Sequence, residues 1–340
     1  MDIVEDREDF LKFLKGKDMI IPAFEDGAAL KVLEEIAELA GVPVFLDLDA
    51  YNISSSKLAS DHLFAEHSIP APKYWPNCNL PVIAKPSGLS GSSGVRLIEN
   101  MLEMKKFLAE IAHEVNTWVI QEYVQGPSYS IEIIGHKNNY ATLQTTEIVV
   151  DSMYDCQQVL APVQISPETE QELRDLAVQI AQLVNLRGIM DLEVIATEKG
   201  LRVLEIDARF PSQTPITVYH STGINMLEML SEVFVEQNFV AEKYHALIAR
   251  EPGEHVVFEH ICVTPDGIET LGEHIMTVSG PLTLIKDFFG ADEALTSYTQ
   301  GREWWVATLI IKAATAADVK RKRAAVIAAI EEAFSCSWVG

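Results

Sequence analysis

The residues best equipped for chemistry stand in the segment 188–214, where Asp191 and Glu193 alternate with apolar neighbours and are followed by Glu205, Asp207 and Arg209. The period-2 alternation of both runs predicts two half-buried strands. With Glu198-Lys199-Gly200 as a three-residue hairpin loop, Thr197 faces Leu201, and counting back sets Glu193 opposite Glu205 and Asp191 opposite Asp207. Directly opposed side chains lie about 5 Å apart, so two ionised carboxylates repel by about 3 kcal/mol at an effective dielectric near 20. A divalent cation with oxygen ligands, Mg²⁺ above all, relieves that repulsion and leaves its other positions to water and phosphate. Arg209, on the same face, offers a fork of donors to a phosphate or carboxylate. The competing reading is an exposed acidic hairpin face, with the acids separated by a shifted turn register.

Further candidates lie upstream. Lys57 follows three serines and opens a helix that runs to about His67, and Lys85 ends the apolar strand 81–86. The run from Ser87 to Gly94, including Ser92 and Ser93, then joins that strand to a second one at 95–98. Such a Ser/Gly hairpin tip offers backbone N–H groups and hydroxyls to phosphate oxygens, with Lys85 as a point charge. A plain linker is the other reading, weakened because the run joins two strands. No G-K-[ST] follows it, so it is not a Walker loop. Trp118–Val124 reads as a strand ending in a Gln125-Gly126-Pro127 turn, a kinked edge that can present backbone groups to a purine. Glu25 stands at the carboxyl end of a predicted parallel strand, where such sheets bind ligands, although a helix N-terminal acid explains it equally well.

The elements around these residues read as α/β followed by α+β. Helices are expected at 6–15, 26–40 and 101–113, with parallel strands at 18–22 and 42–46. Further strands fall at 129–134 and 140–150, and a helix beginning at Ser166-Pro167 delivers the chain to the acidic hairpin. Beyond Asn225 come a helix to about 235, a strand at 256–263, a helical stretch near 282–289, a strand at 303–311 and a final helix. That division suggests a partial N-terminal domain over 1–52, a lid and central unit over 53–127, a catalytic unit over 128–235 and a C-terminal α+β lobe over 236–340 without visible chemistry.

The 340 residues carry a formal charge of −24 with a pI near 4.7, which argues against nucleic acid and anionic membranes as partners. The basic run Lys320-Arg321-Lys322-Arg323 lies in a helical pattern and reads as a solvated face. Cys78, Cys156, Cys262 and Cys336 lack metal or disulfide spacing, and the N-terminus is too acidic for a signal peptide, so a cytoplasmic location is expected. His255 and His260 fall on opposite faces of one strand and read as structural.

Taken in order, Lys57, Lys85 before the Ser/Gly loop, I-Q-E-Y-V-x-G, D-x-E and E-x-D-x-R resemble the ATP-grasp ligases over roughly 54–230. The resemblance implies two α+β lobes holding ATP and activation of a carboxylate as an acyl phosphate for attack by an amine. It assigns Lys57, Lys85 and Ser87 to Gly94 to phosphates, and the backbone of Gln121 and Val124 to adenine, with Glu122 alongside. It assigns Glu193, Glu205 and Asp207 to Mg²⁺, and Arg209 to the transferred phosphoryl group. Ser128 stands where many relatives carry an acid for the ribose.

A closer resemblance rests on Tyr154-Asp155-Cys156, Gly188-Ile189-Met190-Asp191, the run from Glu205 to Pro215 with Ser212 and Thr214, and Ser221-Thr222-Gly223-Ile224-Asn225. These are similar to the ligase family that joins 3-methyl-D-ornithine to the ε-amine of L-lysine in pyrrolysine biosynthesis. The resemblance implies those amino acids as partners, Glu25 as a lysine contact and Asp155, Ser212 and Thr214 at the substrates. Homodimerisation is compatible with it. Asp155 or Glu147 would assist the amine. Against that family the chain lacks a first strand, its Gly-rich turn and a crossover helix. The alternatives are another ATP-grasp dipeptide ligase of the D-alanine–D-alanine type, or a nucleotide-binding protein without catalysis.

Overall fold

The computed structural model describes residues 2–248, 253–334 and 338. Cys336 lies outside them. The chain opens with α1 (Arg7–Leu14) and α2 (Gly27–Ala40). The Asp26 carboxylate caps α2 by accepting from the Ala29 N–H at 2.8 Å, and Gly41 closes it at φ 68°, a left-handed conformation that glycine adopts without strain. The two parallel strands expected at 18–22 and 42–46 are reduced to one parallel bridge, Ile20 to Val44. Among the described residues no further strand flanks that bridge, so there is no sheet for it to extend. Next come α3 (Leu48–Ser54), absent from the sequence reading, and α4 (Lys57–Glu66), capped by Asp47 and Ser56 respectively.

A small antiparallel sheet forms within the unit read from the sequence as lid and central subdomain. It comprises β1 (Val82–Pro86), β2 (Arg96–Ile98) and, after α5 (Met101–Glu110), β3 (Trp118–Glu122), in the order β2-β1-β3. Val82, Ala84, Ile98, Met104, Phe107 and Ile120 form its own core against α5.

The remaining strands build one sheet. In chain order its elements are β4 (Ser128–His136), β5 (Asn139–Thr142), β6 (Thr146–Val150), β7 (Cys156–Ala161), α6 (Pro167–Leu183), β8 (Gly188–Thr197) and β9 (Gly200–Asp207). They continue with α7 (Thr214–Thr222), α8 (Met226–Ser231), α9 (Ala241–Ile248), β10 (His255–Thr264), β11 (Gly267–Thr270) and α10 (His274–Thr277). The last are β12 (Thr283–Phe288), β13 (Ala291–Thr296), β14 (Trp305–Ala313) and α11 (Ala316–Phe334). The spatial order is β12-β13-β14-β10-β7-β6-β4-β8-β9, with β11 on β10 and β5 on β4.

Three expectations change here. The strand read at 140–150 is two strands, because β4 is long enough for β5 and β6 to share its second edge, with Leu143 bonded back to the Glu132 carbonyl between them. The helical stretch near 282–289 is the strand β12, paired with β13. Its apolar residues Leu284, Ile285, Phe288 and Phe289 are spaced as on a helix face, and cross-strand pairing overrides that local signal. The basic run is also less solvated than expected. Lys322 donates to Asp292 at 2.6 Å, and Arg323 places its fork on the fully buried Glu259 at 2.6 and 2.5 Å, tying α11 to the sheet.

Residues of α6 and α4 cover one face of β4, β8 and β9, where Ile131, Ile133, Met190, Leu192, Val194, Val203 and Ile206 are buried. The acids occupy the other face.

Candidate functional site

The register of β8 and β9 sets Asp191 against Asp207 and Glu193 against Glu205. The pairs are those expected, reached by another route. Thr197 faces Gly200, so the turn is one residue tighter, and a bulge between Glu193 and Val194 restores the count. The bulge also shifts the phase of β9. Leu201 and Val203 before it, and Ile206 and Ala208 after it, all join the core, while Leu204 and Glu205 both line a cavity of 300 Å³.

Strand β4 extends the array by a third column that the sequence reading missed. Ser130 pairs with Glu193, and Glu132 with Asp191, giving the rows Ser130–Glu193–Glu205 and Glu132–Asp191–Asp207. The alternation Ser130-Ile131-Glu132-Ile133 carried this signal. Ser130 donates to Asp191, whereas neither carboxylate oxygen of Glu132 has a partner within hydrogen-bond distance among the described residues, Thr214 being the side chain that favours its charge.

Burial governs the electrostatics. It pushes the Glu193 carboxyl up to about 8, with Asp191, Glu205 and Asp207 adding to the shift, and it raises Asp207 to about 7 against the opposing pull of Arg209. Burial likewise lifts Glu132 to about 7 and holds Asp191 well above the usual carboxylate range. Two cations of the chain serve part of the array: Lys57 Nζ lies 2.9 Å from Glu205 Oε1, and Arg209 Nε lies 2.9 Å from Asp207 Oδ2. Glu193 has no such ion pair among the described residues. These carboxylates are oxygen donors of the kind a hard divalent cation takes, but among the described residues no three of them bring ligand atoms within 4.8 Å of one another; the group that does is Asp151, Asp155 and His274.

The 300 Å³ cavity gathers Lys57, Lys85, Ser92, Ser93, Gln121, Glu122, Val124, Ser128, Glu193 and Glu205. Lys85 is buried, and desolvation lowers its pKa. The Gln121 backbone is paired with β1 and bridged to Tyr74, and its side-chain Oε1 has no partner among the described residues. That orphaned acceptor beside apolar walls fits a nucleobase amine. Ser87 is placed elsewhere: its Oγ accepts from the Leu58 N–H at 3.1 Å and serves the start of α4.

Gly126 makes the bend after β3. A Cβ there would lie 2.0 Å from the Ala196 carbonyl oxygen, so the strand can leave the cavity only past a bare Cα. The Ser/Gly tip is held down at three points. Lys57 Nζ donates to the Leu89 carbonyl at 2.8 Å, Ser90 to Glu25 Oε2 at 2.5 Å and Ser92 to the Tyr154 carbonyl at 2.5 Å.

Beside this cavity a narrower one of 160 Å³ joins Glu205, Asp207, Arg209, Ser212, Gln213, Thr214, Asp155 and Glu273. It opens to a cleft of 1160 Å³ that runs from Phe24 and Glu25 past Arg209 to the sheet face of β10, β13 and β14. Arg209 Nη2 meets Glu25 Oε1 at 2.6 Å. Ser212 donates to Glu273 Oε2 at 3.1 Å, and Asp155 Oδ2 accepts from the His274 N–H at 3.0 Å, with His274 Nδ1 at 2.6 Å. Glu147 lies on β6 opposite Tyr129. The C-terminal lobe, read as bare of chemistry, therefore supplies His260, Glu273 and His274 to these walls. Their signal was tertiary: β10 pairs with β7 from Val256–Ala161 to Glu259–Gln158.

A family model described as an ATP-grasp domain matches residues 54–213. Over 278 residues the chain is 34% identical to the 3-methyl-D-ornithine–L-lysine ligase of Methanosarcina mazei, covering 82% of this chain and 70% of that one. This chain belongs to the ATP-grasp ligases. The ligase of the same name from Methanosarcina barkeri matches at 34% identity over 82% of this chain and 71% of its own. A D-alanine–D-alanine ligase of Lacticaseibacillus casei matches at 24% over 43% of each. Among solved structures, an L-amino acid ligase from Bacillus licheniformis superposes with a TM-score of 0.70 at 15% identity, covering 94% of this chain and 81% of that one. As an ATP-grasp ligase the chain is an enzyme that forms carbon–nitrogen bonds using ATP and Mg²⁺, as its motifs implied. No helix among the described residues is long and apolar enough to cross a membrane.

Proposed function

We propose that this ATP-grasp ligase joins the carboxyl group of 3-methyl-D-ornithine, or a close ornithine analogue, to the ε-amine of L-lysine through an acyl phosphate. The observation that carries this reading is the 34% identity to ligases of that name across 82% of the chain. The geometry is compatible with it. The narrow cavity adjoining the nucleotide cavity shares Arg209 with the wide cleft as a wall residue, so its guanidinium stands between a phosphate on one side and a substrate carboxylate on the other. Glu193, Glu205 and Asp207 would hold Mg²⁺, which when bound neutralises phosphate charge.

Lys85 and Lys57 add positive charge on the nucleotide side, and the pinned tip excludes water that would hydrolyse the activated acid. Gln121, Glu122 and Val124 would surround the base. On the amino-acid side, Glu25 stands at the mouth of the cleft as a partner for an ammonium, and Ser212, Thr214 and Asp155 border the path to Arg209. The Asp155 carboxylate is already bonded to His274, so its service to the amine would pass through holding that wall in place. A cytoplasmic location suits the three described cysteines, which are all free. The homodimer is carried as a proposal, checked by light scattering.

The test is ADP release across amino-acid pairs. We expect release with D-ornithine or its 3-methyl form, and amide formation only when L-lysine is added. Release with D-alanine alone, and none with ornithine or lysine, would favour the D-alanine–D-alanine type. Absence of turnover with every pair, despite tight ATP binding, would favour a nucleotide-binding role without catalysis.

A further inference from the structure

The wide cleft ends on a sheet face whose polar groups have no place in the reading so far. Phe258 and His260 on β10, Thr308 and Ile310 on β14, and Glu293 and Leu295 on β13 all line it. His260 is 3% exposed, packs edge-on against Phe258 and pairs across the ladder with Thr308. Its Nδ1 lies 2.8 Å from Thr308 Oγ1, while its Nε2 has no hydrogen-bond partner among the described residues. Burial lowers its pKa to about 4, so the ring is neutral at working pH.

The hydrogen-bond inventory selects the tautomer. If Nδ1–H donated to Thr308, both the buried hydroxyl proton and the Nε2 lone pair would be stranded. If the Thr308 hydroxyl donates to Nδ1, one group is left over, the Nε2–H. A buried N–H without an acceptor is costly, and a ligand that supplies the acceptor recovers that cost. The acidic groups of the cleft are the carboxylates of Glu25, Asp155, Glu273 and Glu293, three of them already facing Arg209, His274 and His220, so the wall as a whole favours amines over acids. Arg209 is engaged by Glu25 and Asp207. An amino acid entering this cleft needs a neutral donor for whichever carboxylate the reaction leaves untouched.

We propose that His260 is a specificity-determining residue that donates its Nε2–H to the free α-carboxylate of the amine donor. This rests on the ligase reading above and adds to it the group that distinguishes an amino acid from a simple amine. The C-terminal sheet thereby selects the second substrate, while the acid array and Arg209 act on the first.

The experiment compares L-lysine with L-lysinamide, which keeps both amines and lacks the carboxylate, in amide formation by the full chain. The wild type is expected to lose about ten- to hundredfold in kcat/KM on the amide, the size of one charged hydrogen bond. His260→Asn keeps an Nδ1-like partner for Thr308 but does not reach the Nε2 position, and His260→Phe removes both. Each is expected to treat the two substrates within about twofold of one another, with the loss on lysine expressed in KM rather than kcat. His260→Gln, whose amide reaches the Nε2 position, is expected to restore part of the preference. The comparison is made on whichever variants retain the wild-type circular dichroism and melting profile. Undiminished preference for lysine in a folded Asn or Phe variant overturns the proposal. If the wild type uses a different amine donor, the lysine reading fails, and the same acid-against-amide comparison is run on that donor. If no amine donor is used, both fall.

Discussion

Glu193 and Glu205 are cross-strand partners at the point where β9 carries its extra residue, so Leu204 and Glu205 turn together into the nucleotide cavity. A carboxylate pair and an apolar contact thus share one wall. Burial raises the pKa of Glu193 in that pair, and the first prediction follows from that.

Glu193 moves from an ordinary 4.5 to about 8 on folding, and Asp207 from 3.8 to about 7. Both bind protons more tightly in the fold than in the unfolded chain, so their contribution to metal-free stability is fully present below the ordinary values and is lost as pH rises through that window. Added Mg²⁺ should raise the melting temperature more at pH 8 than at pH 6. Calorimetry with Glu193→Gln should show a flatter profile; an identical one would remove Glu193 from the array.

Glu205→Gln exchanges a carboxylate for a near-isostere and releases Lys57 from its ion pair. ATP turnover is expected to fall by at least about a hundredfold, with the melting temperature within a few degrees of the wild type. A folded variant that turns over ATP normally would refute the metal role.

Lys85→Met fills nearly the same volume without a charge. Because desolvation already disfavours the ammonium, stability should be unchanged or improved, while ATP affinity drops about ten- to hundredfold. Titration calorimetry separates these effects, and wild-type affinity would exclude Lys85 from phosphate binding.

Gly126→Ala places a methyl against the Ala196 carbonyl oxygen. Denaturant unfolding should show a loss of about 1–3 kcal/mol, accompanied by weaker nucleotide binding as the bend after β3 shifts. An unperturbed midpoint would mean the strand exit is freer than the close approach indicates.

Glu25→Ala removes the anion that meets both Arg209 and Ser90. The KM for lysine is expected to rise about tenfold, with ADP release from the carboxylate substrate little altered. Loss of ATP affinity with unchanged lysine KM would move Glu25 to the nucleotide side.

The acid pairs were legible because alternation fixes which side of a strand a residue faces, and a hairpin fixes its neighbour. The tighter turn and the bulge compensated, so a wrong loop length still gave the right partners. Leu201, Val203, Ile206 and Ala208 carried the bulge in plain view as a change of phase. Glu132 was also readable in kind, but its column depends on β4 pairing with β8, a contact across about sixty residues of chain. His260 and Glu273 depend on β10 joining β7, which no local pattern announces. The strand β12 and the missing parallel pair failed for the same reason: pairing partners, not local composition, decide them.

The lid sheet β2-β1-β3 is separate, whereas the strands bearing the acid array and those flooring the amino-acid cleft are one hydrogen-bonded sheet. The span from the acid array on β8 and β9 to the cleft floor on β10, β13 and β14 is therefore set within one sheet, and a rigid displacement of the lid sheet alone would leave it unchanged.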